Sequence, residues 1–487
     1  MATTTLVRAQ PAEIVARIRP RPVSRWAVPL GGAVVGGLVF LLVYRSLVDD
    51  AYITLDFARN LGLHGQWGMD EGLTSNTATS PLNVILQGVA TAVVRDAIVA
   101  AGLVLAALFA VAAVWLDAIG EELRLPRWRL PVLGVGFLAT MPLLLSTVGL
   151  ESYLAVTLII GSARYALTRR WWLVGVAAGL LTLTRPDLLV FGLLAVLLAG
   201  RSWWRVAAAA TGVALPWFAA SWKWLGSAVP DSALLKVDSP WGGWSFSNGF
   251  GLWEPLFPIA IALSIIPAVV GLVCLPWWLR RIGRPIGVLW GGGALAHIAL
   301  FCAMNTGPFH WYYAPSLSAL GLIAVITCSA LPGSLGKIGI GAAAVALAMA
   351  AFAMWNDGVP RDRAPIASNW ASAAQYQAIA ANLPSGATVR SPGEIGTLAY
   401  YCDCRVLDEF ADRGYISLRL ANRLQTAGPI ERRVLELNFW NFRSRQPQPL
   451  DWKIDTAPLV PVSSGTPPPM TGSWGDARQV IVTRFNP

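Results

Sequence analysis

A chain of 487 residues with 55% hydrophobic and only 13% charged side chains is not a soluble globular protein, which carries roughly 25% charged residues. The net charge of +10 does not mark a nucleic-acid binder, because the basic residues cluster in short segments between apolar runs, where they set membrane orientation. Five cysteines give no disulfide framework, and no HExxH, GxSxG, P-loop or dinucleotide-binding fingerprint appears.

Residues 1–26 read as a cytoplasmic tail carrying Arg8, Arg17, Arg19, Arg21 and Arg25. No small-residue cleavage site follows the first apolar run, so that run is expected to be a retained span rather than a signal peptide. Apolar segments near 27–46, 97–117, 131–147, 153–168, 171–184, 187–200, 206–222, 256–275, 286–304, 315–331 and 338–355 predict eleven transmembrane helices. Several fall below the roughly 20 residues of a straight span. The short apolar segment 81–94 predicts a helix lying along the interface.

Seventeen Lys or Arg residues lie on the side of the N-terminus, against five on the other side: Arg59, Arg95, Arg185, Lys223 and Lys236. The positive-inside rule then places the N-terminus in the cytoplasm, and eleven crossings place the C-terminus outside the plasma membrane. The expected layout is a transmembrane module over 27–355 with an outer loop at 47–96, followed by an extracytoplasmic domain over 356–487. In that domain "ATVRSPGEIGTLAYYCDCRVLDEF" reads as short strands separated by turns, and "PVSSGTPPPMTGSWG" as a linker. A small α/β or α+β domain is predicted. Cys402 and Cys404 stand too close in sequence for a ready disulfide and are expected as free thiols. Cys274, Cys302 and Cys328 are expected as buried small hydrophobes.

Charge at membrane depth costs about 2.5–3.5 kcal/mol per residue on insertion scales, so charged residues there need a reason. Asp49 and Asp50 leave the first span side by side; adjacent carboxylates repel and want a cation, a metal or a hydrogen-bond donor. Arg59 follows about three turns on. Glu151, in "TVGLESYL", either snorkels to water or faces the same cavity. Arg185-Pro186-Asp187 interrupts a long apolar run, and Pro186 breaks the helix. A fixed Arg in such a turn suits a phosphate, or forms a self-neutralising pair with Asp187. The loop "GSAVPDSALLKVDSPWGGWSFSNGFGLWEP" carries Asp231, Lys236, Asp238, Trp241, Trp244 and Trp253, the tryptophans serving as an interfacial belt or as platforms for sugar rings. "MNTGPFHWYYAP" sets His310 and Tyr312 at the outer face, whereas His297 sits inside an apolar span and reads as structural.

Together these residues offer a carboxylate to deprotonate an alcohol and cations to receive a departing phosphate. A donor with a lipid tail and a phosphate head would enter sideways from the bilayer. Nucleotide sugars are cytoplasmic and do not fit an outward-facing cluster.

The motifs "DDAYITLDFARNL…TSPL", "GLES", "LTRPD", "VPDSALLK", "HWYYAP" and "GEIGTLAYYCDCRVLDEFADRG" occur in that order over nearly the whole chain. In this they resemble the GT-C superfamily of polyprenyl-phosphate-sugar glycosyltransferases, and more narrowly actinobacterial arabinofuranosyltransferases of the mycobacterial terminal β-(1→2) type. The resemblance implies a catalytic acid at Asp49 or Asp50, a second acidic position at Glu151, and a contact of Arg185 with the lipid phosphate. Lys236 and His310 fall near the same headgroup, and Arg59, Asp187 and Tyr312 complete the expected substrate-binding set. No cofactor is required, although a divalent cation at Asp49 and Asp50 remains open.

The implied reaction moves arabinofuranose from decaprenyl phosphate to a cell-envelope glycan such as arabinogalactan or lipoarabinomannan. The sequence departs from those enzymes in its shorter outer domain and in "DEGLTSNTATSPLN", where "GERVEGYTSPLW"-like residues are usual. Mannose or another polyprenyl-phosphate sugar is the alternative donor. Readings outside the class are a lipid or glycan transporter and a non-catalytic glycan-binding subunit. A transporter would call for broken helices at the midplane and inverted repeats, and neither is read here.

Overall fold

The structure, a computed structural model, describes residues 26–237, 241–280, 283–367, 369–391, 393–458, 470–471 and 477–485. The arginines of the N-terminal tail, Asp238 and most of the expected 461–475 linker lie outside the described residues.

Each apolar segment picked out in the sequence is helical. The helices run Ala27–Val43, Ala97–Glu122, Arg129–Thr140, Ser152–Leu167, Trp171–Thr184, Leu189–Ala199, Trp203–Ala220, Pro258–Leu279, Gly293–Met304, His310–Ala330 and Gly333–Asn356. Leu30, Leu41, Leu197 and Val273 point outward and are exposed, while Ser264, His297, Ser316 and Ser318 are buried inside. Apolar outside and polar inside is the arrangement of a bundle solvated by lipid. His310–Ala330 forms the centre of the bundle, with nearly every residue from His310 to Ala324 buried.

Two helices lie at one end of the bundle. Pro81–Val94 is helical as expected; it exposes Val89 and Val93 and turns Asn83, Gln87 and Thr91 inward. Asp49–His64 is also a helix, although the sequence there reads as a loop. Its buried Ala51, Leu55 and Ala58 repeat at helical spacing. Gly65, in a left-handed conformation, ends it.

The C-terminal domain forms a mixed five-stranded sheet of order β2-β1-β3-β5-β4. Its strands are β1 (Thr388–Arg390), β2 (Arg405–Val406), β3 (Trp452–Pro458), β4 (Met470–Thr471) and β5 (Ala477–Arg484). β1 pairs in parallel with β2 and β3, and β5 pairs antiparallel with β3 and β4. Four helices accompany the sheet: Ala373–Ala380, Gly396–Tyr401, Arg413–Thr426 and Pro429–Asn438.

The cysteines correct the sequence reading twice. Cys402 and Cys404 form a disulfide, because the chain turns at the end of Gly396–Tyr401 and brings their Cα atoms to 5.0 Å, within the normal bridging range. Cys302 is exposed, and Cys274 and Cys328 are half-buried, so these three do not sit in the core.

Candidate active site

The polar residues singled out in the sequence collect at the end of the bundle that carries the C-terminal domain. Glu151 is placed by a turn. Gly149 takes a left-handed φ of 89°, and its carbonyl accepts hydrogen bonds from Asn83 (3.1 Å) and Gln87 (2.8 Å). Glu151 then sits at the head of Ser152–Leu167, buried.

Arg185 lies where Trp171–Thr184 ends and Pro186 starts a single 3-10 turn. Its Nη1 donates to Glu151 Oε1 (3.2 Å) and its Nε to Asp187 Oδ1 (3.0 Å). Its guanidinium lies 4.5 Å from the centre of the Tyr312 ring. Asp187 Oδ2 is 2.8 Å from His297 Nε2, and His297 Nδ1 is 2.8 Å from the Ser316 hydroxyl. His297 is therefore a link in a polar chain that begins at Glu151 and ends at Ser316. The sequence reading missed this link, since nothing local marks its partner.

Lys236 is carried by the short helix Ser232–Val237 and faces an aromatic wall. Its Nζ lies 5.4 Å from the Phe309 ring, 5.7 Å from Trp311 and 5.8 Å from Tyr312. Burial opposes its charge, but Tyr312, Asp50 and Glu151 outweigh that and hold the ammonium above its usual range.

Asp49 and Asp50, adjacent in sequence, have different surroundings. Asp49 accepts three backbone hydrogen bonds from the C-terminal domain: Ile395 N–H (3.0 Å), Gly396 N–H (3.1 Å) and Thr397 N–H (2.7 Å). Both of its oxygens are engaged in the head of Gly396–Tyr401. Residue 396 must be glycine, because a Cβ there would collide with the Asp49 carbonyl and the Ile53 backbone. Burial raises the Asp49 carboxyl, and the three N–H donors oppose the rise.

Asp50 points instead into open space. Burial pushes it up to about 6; Lys236 opposes the rise, while Asp49 and Glu151 add to it. Asp50 and Trp311 together form the wall between two cavities. One is a cleft of about 30 Å³ that also contains Thr54, Thr77, Thr79, Ser80, Glu151 and Lys236. The other, about 320 Å³, is lined by Asp49, Trp241, Phe309, Asn369, Trp370 and Glu394. Glu394 accepts from Trp370 N–H (2.6 Å) and the Tyr376 hydroxyl (2.5 Å), and burial holds its carboxyl well above the usual range. The sequence reading did not select Trp370 or Glu394, which reach the site only when the C-terminal domain folds over the bundle.

Arg185, Asp187 and Tyr312 line neither cavity and connect to the cleft through Glu151 and Lys236; two further expected site residues are elsewhere. Arg59 Nη2 pairs with Asp56 Oδ1 (3.0 Å) and its Nη1 donates to the Tyr400 carbonyl (2.8 Å), so it fastens the C-terminal domain to Asp49–His64, and it lines neither cavity. His310 is buried edge-on between Trp253 (5.7 Å) and Trp311 (4.9 Å) and lines neither cavity. Three of the roughly four acceptor positions of the Asp49 carboxylate are taken by backbone N–H groups, which leaves one lone pair on Oδ1 for a cation shared with Asp50. Among the described residues, no group of three His, Cys, Asp or Glu side chains is arranged to hold a metal ion.

Replacing Asp49 with alanine leaves three buried N–H groups without acceptors, each costing about 1–3 kcal/mol. Asp49→Ala is expected to lower the thermal unfolding midpoint clearly and to speed proteolysis of the C-terminal domain. An unchanged midpoint would refute the clamp.

No protein-family model matches the chain, and no curated protein matches it in sequence. Solved structures match it in fold. ArnT from Cupriavidus metallidurans in the apo state aligns with a TM-score of 0.54 at 16% identity, covering 88% of this chain and 92% of ArnT. ArnT bound to undecaprenyl phosphate gives 0.52 at 15% identity, covering 94% and 97%. The arabinofuranosyltransferase AftD from Mycobacteria gives 0.48 at 17% identity, with 89% of this chain matching 35% of that one. The chain therefore has the GT-C-like fold that its motifs resemble and that it shares with ArnT: a polytopic helical membrane module with a small α/β domain on one end.

Proposed function

We propose that this protein is an inverting membrane glycosyltransferase of the outer membrane face. In this reading it transfers arabinofuranose from a polyprenyl-phosphate donor to a hydroxyl of a cell-envelope glycan. The observation that carries the reading is Asp50, an unclamped acid at the wall between two cavities of different character. The cleft holds the cation Lys236 and backs onto Arg185, which suits the phosphate and its sugar. The larger cavity is lined by Trp241, Phe309 and Trp370 with Asn369 and Glu394 among them, and suits the stacked ring and hydroxyls of a glycan acceptor.

Asp50 takes the proton of the acceptor hydroxyl as that oxygen attacks C1 of the donor from the face opposite the phosphate. The C1–O bond to phosphate breaks, and the polyprenyl phosphate leaves with the bonding pair. Protonation of Asp50 removes the negative charge beside Lys236 just as charge builds on the phosphate. Lys236 then balances the leaving group. That ArnT binds undecaprenyl phosphate supports a lipid-phosphate donor for a chain of the same fold. The choice of arabinofuranose rests on the motif resemblance, with mannose as the rival sugar. The orientation rests on the distribution of basic residues.

The test is transfer by the purified protein in lipid, from synthetic polyprenyl-phosphate-arabinofuranose to a short arabinan. A product of inverted anomeric configuration is expected. Product from polyprenyl-phosphate-mannose alone would replace the sugar; no product from any polyprenyl-phosphate sugar would overturn the reading.

A further inference from the structure

The helix Pro429–Asn438 of the C-terminal domain has no buried residue, although its sequence is strongly two-sided. Ile430 is 84% exposed, Val434 60%, Leu437 50% and, just beyond the helix end, Trp440 67%. These positions recur at spacings of four, three and three, so they form one apolar stripe. Its inward apolar contact is half-buried Leu435, which packs on a small cluster with Leu420 and Phe439. A stripe of four large apolar side chains facing water is out of character for a soluble domain.

The position of this helix identifies its partner. Trp222 Nε1 donates to the Leu437 carbonyl (2.8 Å), and Val229 N–H donates to Asn438 Oδ1 (2.8 Å). Trp222 lies in the turn Ser221–Leu225, which continues the apolar helix Trp203–Ala220. The exposed Trp224 and Lys223 beside it are the aromatic and basic residues that mark the level of lipid headgroups. The stripe is thus joined directly to the lipid-facing surface of a span at its interfacial end. Exposed Arg432, Arg433, Arg443 and Arg445 surround it. Glu436 pairs with Arg432 and Arg433, and Glu431 with Arg423, so Arg443 and Arg445 add to Lys223 in giving the rim a basic excess. An apolar stripe with a polar opposite face and a basic rim is the make-up of a helix seated in an anionic bilayer surface.

We propose that Pro429–Asn438 is an interfacial membrane anchor, its Ile430–Val434–Leu437 face immersed among lipid headgroups and upper acyl chains. The C-terminal domain is then attached to the bilayer at a second point besides the bundle. This inference does not depend on the transferase reading.

The test uses the full chain in nanodiscs containing phosphatidylglycerol, one chain per disc. Cys274, Cys302 and Cys328 are replaced by alanine and the Cys402–Cys404 disulfide is kept. A spin label is attached in Val434→Cys or, two residues earlier and about 200° around the helix, in Arg432→Cys. Collisions with oxygen should exceed collisions with a water-soluble nickel chelate at 434, and the order should reverse at 432. Ile430→Cys reads the same face as 434 if that variant fails to insert. A label at 434 as open to the chelate as the one at 432 would overturn the anchor. Protection that appears only with several chains per disc would assign the face to a second copy and would overturn it equally.

Discussion

Asp50→Asn is expected to lower transfer by about 100- to 10,000-fold, the usual contribution of a positioned general base, and at the same time to raise the thermal stability of the protein. The amide keeps the shape of the carboxylate and its place between the two cavities, so binding should persist while proton uptake is lost. The fall should therefore appear in kcat with KM nearly unchanged. The stability gain follows from the shift at this residue. The Asp50 carboxyl is raised from 3.8 to about 6, chiefly by burial. A group raised in the folded state contributes stability that is full below its unfolded pKa and lost as the pH rises through its folded pKa. At pH 7 the ionised Asp50 is thus a cost to the fold, and an asparagine removes it. Wild-type activity should climb as the pH rises through about 6 and then level off, because the ionised form is the base. Parallel measurement of kcat and of the unfolding midpoint checks both halves. Undiminished transfer by a folded Asp50→Asn protein would remove Asp50 from the mechanism.

The separation of Asp49 from Asp50 marks how far the sequence is legible. Apolar runs were readable as helices because lipid imposes one simple requirement on them. The break at Arg185-Pro186 was readable because proline cannot continue the helix. Asp49 and Asp50 look equivalent in sequence because what distinguishes them is the backbone of Ile395, Gly396 and Thr397, far along the chain. The same holds for Arg59, whose partner is a carbonyl at Tyr400, and for His297, whose partner is Asp187 on another helix. The helix Asp49–His64 did carry a local sign, the spacing of Ala51, Leu55 and Ala58, which its mixture of polar residues hides. Trp370 and Glu394 had no local sign at all. They matter only because a soluble domain closes over a membrane bundle, and no periodicity records that closure.

Arg185→Gln should destabilise the fold strongly and should also shift the pH dependence of transfer. In the native protein one guanidinium serves two carboxylates: Glu151 through Nη1 and Asp187 through Nε, with Tyr312 against its face. All three charged groups are largely buried. Removing the cation leaves two buried carboxylates short of a partner, a defect of about 3–5 kcal/mol for buried pairs. Lysine keeps the charge but lacks the planar fork that reaches both acids, so Arg185→Lys should recover only part of the loss. The electrostatic consequence reaches Asp50. Glu151 already raises the Asp50 carboxyl, and without Arg185 its charge is no longer offset, so the rise of activity with pH should move to higher pH. The double variant Arg185→Gln/Glu151→Gln removes both charges. It should return the profile toward that of wild type and regain part of the stability, since replacing both members of a buried pair costs far less than breaking it. If the profile of Arg185→Gln stays where that of wild type lies, the Glu151–Arg185 pair is a brace for the helices and not part of the field that sets the base.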